Sequence, residues 1–415
     1  MDERTDKPDM PNAVFVAPFF LPTTLRFVDA VAALPDVRVG LISQDPPDRL
    51  PAELRARLAA HARVDDALTA GGIGMGLDEI APALGGVDSL LGALEELQVP
   101  LGELRDARRI PGMGAREALG FRDKSCMKDI LQAAGLPCAR HRLVSSAAEA
   151  DAFVSEIGFP VIIKPPAGSG ARRTFRVEDA GQLRACLAAA PPAPGDPSLI
   201  EEFVTGEEHS FDAISIGGRV VWHSINHYYP SPLEVLRTPW IQWCVLLPRE
   251  VDSPRYEGIR AVAGDVLRTL GMVTGLSHME WFRRPDGSIA VSEVGARPPG
   301  AQFTTLISWA HDFDLYAAWA RLMVFGEFEP RPRPYAAGAA YLRGQGRGRV
   351  RSVTGLQEII DDLGALCVEA KLPRPGQSPS GTYEGEGYMI VRHPETRVVE
   401  EALREIVTRV RVELA

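Results

Sequence analysis

Two glutamates, Glu280 and Glu293, lie thirteen positions apart in the stretch SHMEWFRRPDGSIAVSEVGARPPGAQ, residues 277–302. Between them a Pro285-Asp286-Gly287 turn joins two apolar runs, the signature of a β-hairpin. With the turn midway, the two carboxylates can lie side by side on neighbouring strands and on the same face. Adjacent carboxylates repel unless a cation sits between them, so the pair points to a hard divalent metal such as Mg2+. Arg297 follows four residues after the second acid and precedes a tight Pro298-Pro299-Gly300 turn. A guanidinium fixed beside a metal is equipped to hold phosphate or carboxylate. The plain alternative is a surface hairpin with solvated charges.

A second group lies upstream. Lys164 closes the apolar run PVIIK and is followed by PPAGSGAR, with Gly168, Ser169 and Gly170 at its centre. A lysine at a strand end beside a loop of small residues can grip a phosphate chain. The small residues let backbone N–H groups approach the oxygens while the lysine supplies charge. This is not a Walker A loop, because the lysine precedes the glycines and GK[ST] is absent. A hairpin turn after a buried strand is the other reading. Further on, Glu201-Glu202-Phe203-Val204 ends a strand and Glu208 follows. A strand-end backbone can offer one N–H and one C=O to an adenine edge, with a nearby acid accepting from ribose hydroxyls. An exposed acidic turn would look the same. Lys124 can reach the same phosphates or remain a solvated surface lysine.

The rest of the chain must position these groups. A chain of 415 residues exceeds one ordinary core, so two or three domains are expected. The net charge of −10 argues against general nucleic-acid binding, and no basic stripe with interleaved aromatics is present. Anionic substrates must therefore be met by local cations. Five scattered cysteines without CxxC spacing read as small core residues in a reducing compartment. The charged opening MDERTDKPDMPN is no signal peptide, and no apolar run reaches membrane-spanning length. A cytoplasmic location is expected, without nucleic-acid or membrane partners.

Residues 12–44 read as strand, helix and strand of a parallel sheet, with Thr23 or Thr24 as helix cap. The GGIGMG cluster at 71–76 fails the dinucleotide spacing and reads as a loop. Helical segments are expected at 77–84 and 87–97, and PGMG at 111–114 breaks the pattern. One helix is expected from Arg116 through FRDKSCMKDILQAAG, stopping at Gly135 with Pro137 beyond. A doubled unit follows, spanning about 138–204. Strand HRLV leads to a helix opened by Ser146 and Glu149, then strand FPVIIKPP; strand TFRV leads to a helix opened by Asp179, then strand SLIEEFV. Such a compact α+β module is suited to act as a lid. Strands SFDAISI and RVVWHSI come next, joined at Gly217-Gly218. An aromatic stretch then holds His227, Tyr228, Tyr229, Trp240 and Trp243. It can line a substrate pocket or simply pack the core. A helix at 256–270 leads into the hairpin, two buried helices end at Gly326, and the prolines at 330, 332 and 334 mark a second boundary. The expected units are residues 1–111, an α/β domain; 112–330, a central domain with the lid; and 331–415, a small capping domain.

The ordered set of Lys124 in RDKSCMK, Lys164 with its AGSGA loop, EEFVTGEE, Glu280, and EVGARPPG resembles the ATP-grasp superfamily. No single motif decides it, but five in this order are specific. The resemblance implies a three-part architecture, α/β and α+β: an N-terminal Rossmann-like domain, a lid plus central domain, and a small C-terminal domain. It implies ATP with Mg2+, or Mn2+, held between lid and central domain. Lys124, Lys164, Gly168, Ser169 and Gly170 would contact phosphates, and Lys164 would also lie near adenine. Glu201, Glu202, Phe203 and Val204 would frame the adenine, with Glu208 on the ribose. Glu280 and Glu293 would hold the metal, and Arg297 would stabilise an acyl-phosphate and the tetrahedral intermediate. His278, Arg297, Gly300, His227 and Trp243 are the substrate candidates, although His278 reads more readily as a satisfied core histidine. Where the family usually carries Asn, two residues after the second metal acid, this chain has Gly295. The number of metal ions is left open by that change.

The EVGARPPG variant resembles carboxylate–amine ligases such as amino-acid ligases forming dipeptides. A homodimer is consistent with the resemblance. Three readings remain: a ligase joining a small carboxylate to an amine, an ATP-grasp enzyme of purine or carboxylation metabolism, and a catalytically silent ATP-binding protein. Retention of both lysines, both acids and Arg297 weighs against silence.

Overall fold

The computed structural model describes residues 10–168, 173–238 and 241–415. The candidates Ser169 and Gly170, with Ala171, Arg172 and Trp240, lie outside the described residues. An N-terminal sheet is parallel throughout, in the order Ala60–Arg63, Arg38–Ser43, Asn12–Val16 and Ser89–Leu91. The GGIGMG cluster is not a loop. It opens the helix Ala70–Leu84, whose first turn is capped by Thr69 accepting from the Gly72 N–H at 3.2 Å. The glycines serve packing: a Cβ on Gly72 would fall 1.7 Å from the Asp66 carbonyl oxygen, and one on Gly76 would meet Ile42 at 2.9 Å. The segment expected as a helix at 87–97 is instead the strand Ser89–Leu91 followed by a 3-10 turn, Glu95–Leu97. A three-residue apolar run has no period of its own, and pairing with Ala13–Phe15 decided its form.

The expected single helix from Arg116 is broken in two, Ala115–Arg122 and Lys124–Ala133. At the break Asp123 accepts from the N–H groups of Ser125 and Cys126, both at 2.9 Å, and so starts a new helix. The module expected as a lid is the four-stranded antiparallel sheet His141–Val144, Ser198–Glu202, Val161–Lys164, Phe175–Val177, covered by two helices. Ser146 and Asp179 cap those helices as expected, and the lid closes on a core of its own that includes Phe153, Ile163 and Ile200.

The largest sheet has eight antiparallel strands, and the hairpin Gly275–Arg283 and Ile289–Gly295 forms one edge. Gly287 takes φ +85° in the turn, and Asp286 accepts from Ser288 N–H and Oγ–H. The strands Ala336–Leu342, Gly387–His393 and Cys367–Lys371 from the C-terminal part extend this same sheet. A shared core joins the N-terminal sheet to the central one. Phe27 packs edge-on against Trp319 of the helix Leu315–Phe325, with ring centroids 4.9 Å apart. The five cysteines are unpaired, and among the described residues no helix is long and apolar enough to cross a membrane.

Candidate active site

Between the lid, the hairpin and the neighbouring strands Glu207–Ile216 and Arg219–Tyr229 of the large sheet lies a cleft of about 1020 Å³. Glu280 and Glu293 are direct partners across the hairpin, so their side chains leave the same face. A bulge between Glu280 and Trp281 shifts the register beside them, a common way to re-aim side chains at a site. Glu208, from the neighbouring strand opposite Phe282, joins the two acids in lining the cleft. Burial together with the nearby Glu280 pushes the Glu208 carboxyl well above its ordinary range. Glu293 behaves otherwise: burial would raise it, but Lys124, whose Nζ lies 2.9 Å from Oε1, holds it below its usual value. Among the described residues no three His, Cys, Asp or Glu groups converge to hold a metal unaided. The two paired glutamates fit a hard cation as a two-carboxylate platform, which phosphate oxygens and water must complete.

On the lid side Lys164 ion-pairs with Glu201, its neighbour across the lid sheet. The second partner of Glu201 is Lys128, whose Nζ lies 3.1 Å from Oε2 and donates to the Ser292 carbonyl at 2.8 Å. Burial alone would raise the Glu201 carboxyl, but the two ammonium groups hold it at about 2. This carboxylate is thus consumed by lysines, and the backbone of Glu201 is paired on both sides, with His141 and Ile162. Glu202 is likewise engaged, by Arg140 at 2.8 Å and Arg284 at 3.1 Å. The part of the motif left to meet a flat ring is Phe203-Val204, where Arg176 lies 4.0 Å above the Phe203 ring. The Gly168 carbonyl accepts from Lys124 Nζ at 2.9 Å and from Arg122 at 3.3 Å, tying the start of the small-residue loop to the helix pair.

Beyond the acids the cleft continues past Arg297, Gly300 and His278. Asp212, fully buried, accepts from His278 Nδ1 at 2.6 Å. Burial works against a charged ring, but Asp212 outweighs it and lifts His278 to about 9. Its Nε2 therefore carries a proton, 3.8 Å from Glu280 and 3.4 Å from the Tyr228 hydroxyl. His227, in contrast, is kept neutral by burial, at about 2, and bonds Tyr256 and Tyr229. Trp243 stacks on Tyr341 with centroids 4.6 Å apart. Both His227 and Trp243 are wall as well as core.

Residues 129–310 match the family model described as the ATP-grasp domain. The chain carries an ATP-grasp domain. Among curated proteins it is similar to an uncharacterized protein, y4rH, of Sinorhizobium fredii, 28% identical over 237 residues, 56% of this chain and 48% of that protein. It is also similar to the L-arginine-specific L-amino acid ligase of Bacillus subtilis, 25% identical over 292 residues, 69% of this chain and 70% of that one. The chain thus spans about half the length of the first of these relatives. Among solved structures, an L-amino acid ligase from Bacillus licheniformis superposes with a TM-score of 0.78 over 99% of this chain and 100% of that one, at 18% identity. The fold is therefore the three-part ATP-grasp architecture.

In and behind the walls of the cleft stand residues that the motifs do not reveal. Lys128 had a signal, four positions after Lys124 on the same helix face. Arg176 and Tyr383, both lining the cleft, had none; Tyr383 comes from the C-terminal part, expected only as a small capping domain. Nor did Glu95, buried in the 3-10 turn and ion-paired with Arg297 from 202 positions away.

Proposed function

We propose that the chain is an ATP-dependent carboxylate–amine ligase, which activates a small carboxylate as its acyl-phosphate and joins it to an amine as a dipeptide-like amide. The observation that carries this reading is the in-register pair Glu280 and Glu293, with Lys124, Lys164 and Arg297 around the same cleft. A carboxylate does not react with an amine at neutral pH, because its oxygen is a very poor leaving group. Attack of the carboxylate on the γ-phosphorus of ATP releases ADP and makes that oxygen part of phosphate. In-line transfer is mainly a matter of position and charge. Lys124 and Lys164 neutralise the phosphoryl oxygens, Phe203 and Val204 flank the adenine, and Glu208 takes the ribose. Glu280 and Glu293 hold Mg2+, which when bound supplies charge stabilisation to the phosphates. The amine then attacks the acyl carbon, with Arg297, the Gly300 backbone and the protonated His278 facing the oxygen that becomes negative. An acyl-phosphate hydrolyses readily, so the lid must exclude water before that attack.

The protonated state of His278 suits it to donate and not to act as a base. The ring-rich end of the cleft, with Tyr228, Trp243 and Phe303, would take the side chain of the acid. The reading is tested by ADP release over a panel of paired amino acids, with products weighed by mass spectrometry. The expected product has the mass of the two substrates less one water, and Glu293→Ala abolishes it. ADP release with single carboxylates and no amine would sink the ligase reading, and turnover with bicarbonate alone would favour a carboxylation enzyme. That second reading draws support from the similar fold of N5-carboxyaminoimidazole ribonucleotide synthetase from Thermotoga maritima, TM-score 0.68 at 17% identity over 98% of this chain and 100% of that one. Light scattering behind a sizing column tests for a homodimer.

A further inference from the structure

Arg297 is the cation nearest the turn that ends the hairpin strand, and its orientation is set from outside its own domain. Glu95 sits in the 3-10 turn Glu95–Leu97, which follows a strand of the N-terminal sheet, and is 6% exposed. One carboxylate oxygen, Oε2, accepts from Arg297 Nε–H. The other, Oε1, lies 3.8 Å from Arg122, the residue that also donates to the Gly168 carbonyl. Arg297 Nη1 donates to the Pro298 carbonyl at 2.8 Å. With Nε and Nη1 so occupied, the guanidinium plane is fixed, and Nη2 remains for whatever enters the cleft that Arg297 lines.

Gly295 belongs to the same arrangement. A Cβ there would stand in ordinary contact, 3.4 Å from Glu95 Oε2 and 4.0 Å from Arg297 Nε, so an alanine fits while a longer polar side chain would have to share this space with the ion pair. The absence of the family's usual Asn thus leaves room for a carboxylate from the N-terminal sheet.

We propose that Glu95 is a positioning residue: it aims Arg297 at the reacting acyl oxygen and, through Arg122, ties the start of the phosphate loop to the same carboxylate, with Gly295 as the clearance this requires. The proposal rests on the role given to Arg297 above. A pair serving only as glue between domains would lower stability without altering turnover. One serving to aim Arg297 changes turnover while nucleotide binding persists.

The experiment measures kcat and the KM for ATP by ADP release with Mg·ATP and an equimolar mixture of the twenty amino acids, alongside melting temperature. Glu95→Gln is expected to lower kcat about 100-fold while the KM for ATP moves less than about threefold. Arg297→Ala and the double variant Glu95→Gln/Arg297→Ala are expected to match in kcat within about twofold, since the carboxylate affects turnover through Arg297, its link to Arg122 bearing on the phosphate loop. A kcat loss below about threefold in Glu95→Gln, or additive losses in the double variant, overturns the proposal. Should Glu95→Gln fail to fold, Gly295→Asn is compared with Gly295→Ala. The asparagine variant is expected to turn over about tenfold more slowly, and equal rates overturn the proposal. If wild type releases no ADP with any amino acid, the ligase reading fails by itself. Glu95 is then judged from crystals of wild type and Glu95→Gln with Mg·AMP-PNP: a displaced Arg297 guanidinium in the variant supports the proposal, and an unchanged one overturns it.

Discussion

The two sides of the cleft treat the same residue type in opposite ways. On the lid side, Glu201 lies between the ammonium groups of Lys128 and Lys164 and is held at about 2. On the hairpin side, Glu208 stands near Glu280 and is driven well above its ordinary range, while Glu280 and Glu293 face each other with Lys124 beside one of them. Burial works in the same direction on Glu201 and Glu208; the sign of the neighbours decides the outcome. A carboxylate already matched by two cations is finished structure, and a ligand has little to gain there. Acids that repel one another store unfavourable energy that an arriving cation releases, which is why strained charge marks function more reliably than paired charge.

The sharpest break of this contrast is Glu293→Ala. ADP release is expected to fall about 1000-fold, while the melting temperature falls modestly, because the nearly buried Lys124 loses the carboxylate it pairs with. Activity within tenfold of wild type would end the distinction between the two sides. Next comes a pair of lysine changes. Lys128→Met strands the fully buried Glu201 with one cation and is expected to lose about 3–5 kcal/mol in urea unfolding. Lys124→Met should lose less, because Glu293 keeps a quarter of its side chain open to the cleft. The reverse order would show that the lid clasp is not the structural one.

Ligand binding sharpens the same point. Mg2+ with ADP at about 100 times its dissociation constant is expected to stabilise the protein by about 2.7 kcal/mol. Mg2+ alone should do far less, since two carboxylates do not complete its shell. Thermal shift measurements on wild type and on the Glu280→Ala/Glu293→Ala double variant check this, and an equal shift in both contradicts it.

The pH dependence of stability should carry opposite slopes from the two sides. Glu201 has a depressed folded value, so its contribution is present above about 4.5 and disappears as pH falls toward about 2. Glu208 is raised, so its contribution is present at pH values below 4.5 and is lost as pH climbs above that. Glu208→Gln is therefore expected to gain melting temperature over wild type at pH 7 and to match it near pH 4.5, whereas Glu201→Gln flattens the acid limb. Parallel shifts in both variants would refute the opposed environments. The smallest effect belongs to Arg176→Ala, which removes the cation over Phe203 and should raise the KM for ATP about threefold with kcat unchanged.

The amino-acid order by itself determined whatever depends on a few consecutive residues. The hairpin turn at Pro285-Asp286-Gly287, the capped helices of the lid at Ser146 and Asp179, and the direct opposition of Glu280 and Glu293 are all local, because turn geometry and strand period act over short spans. Local signals failed where a distant neighbour arbitrated. The glycine run at 71–76 opens a helix that Thr69 caps, and its glycines answer to distant neighbours: the Asp66 carbonyl and the Ile42 side chain leave no room for a Cβ at two of its positions. Ser89–Leu91 became strand because Ala13–Phe15 was there to pair with it. Charge pairing lay further still beyond local reach. That Glu201 belongs to Lys128 and Lys164, that Asp212 accepts from His278 and favours its charged form, and that Glu95 takes Arg297 were decided only by the tertiary structure. Coulomb attraction and desolvation depend on distance in space and on what excludes water, and neither is a function of position along the chain.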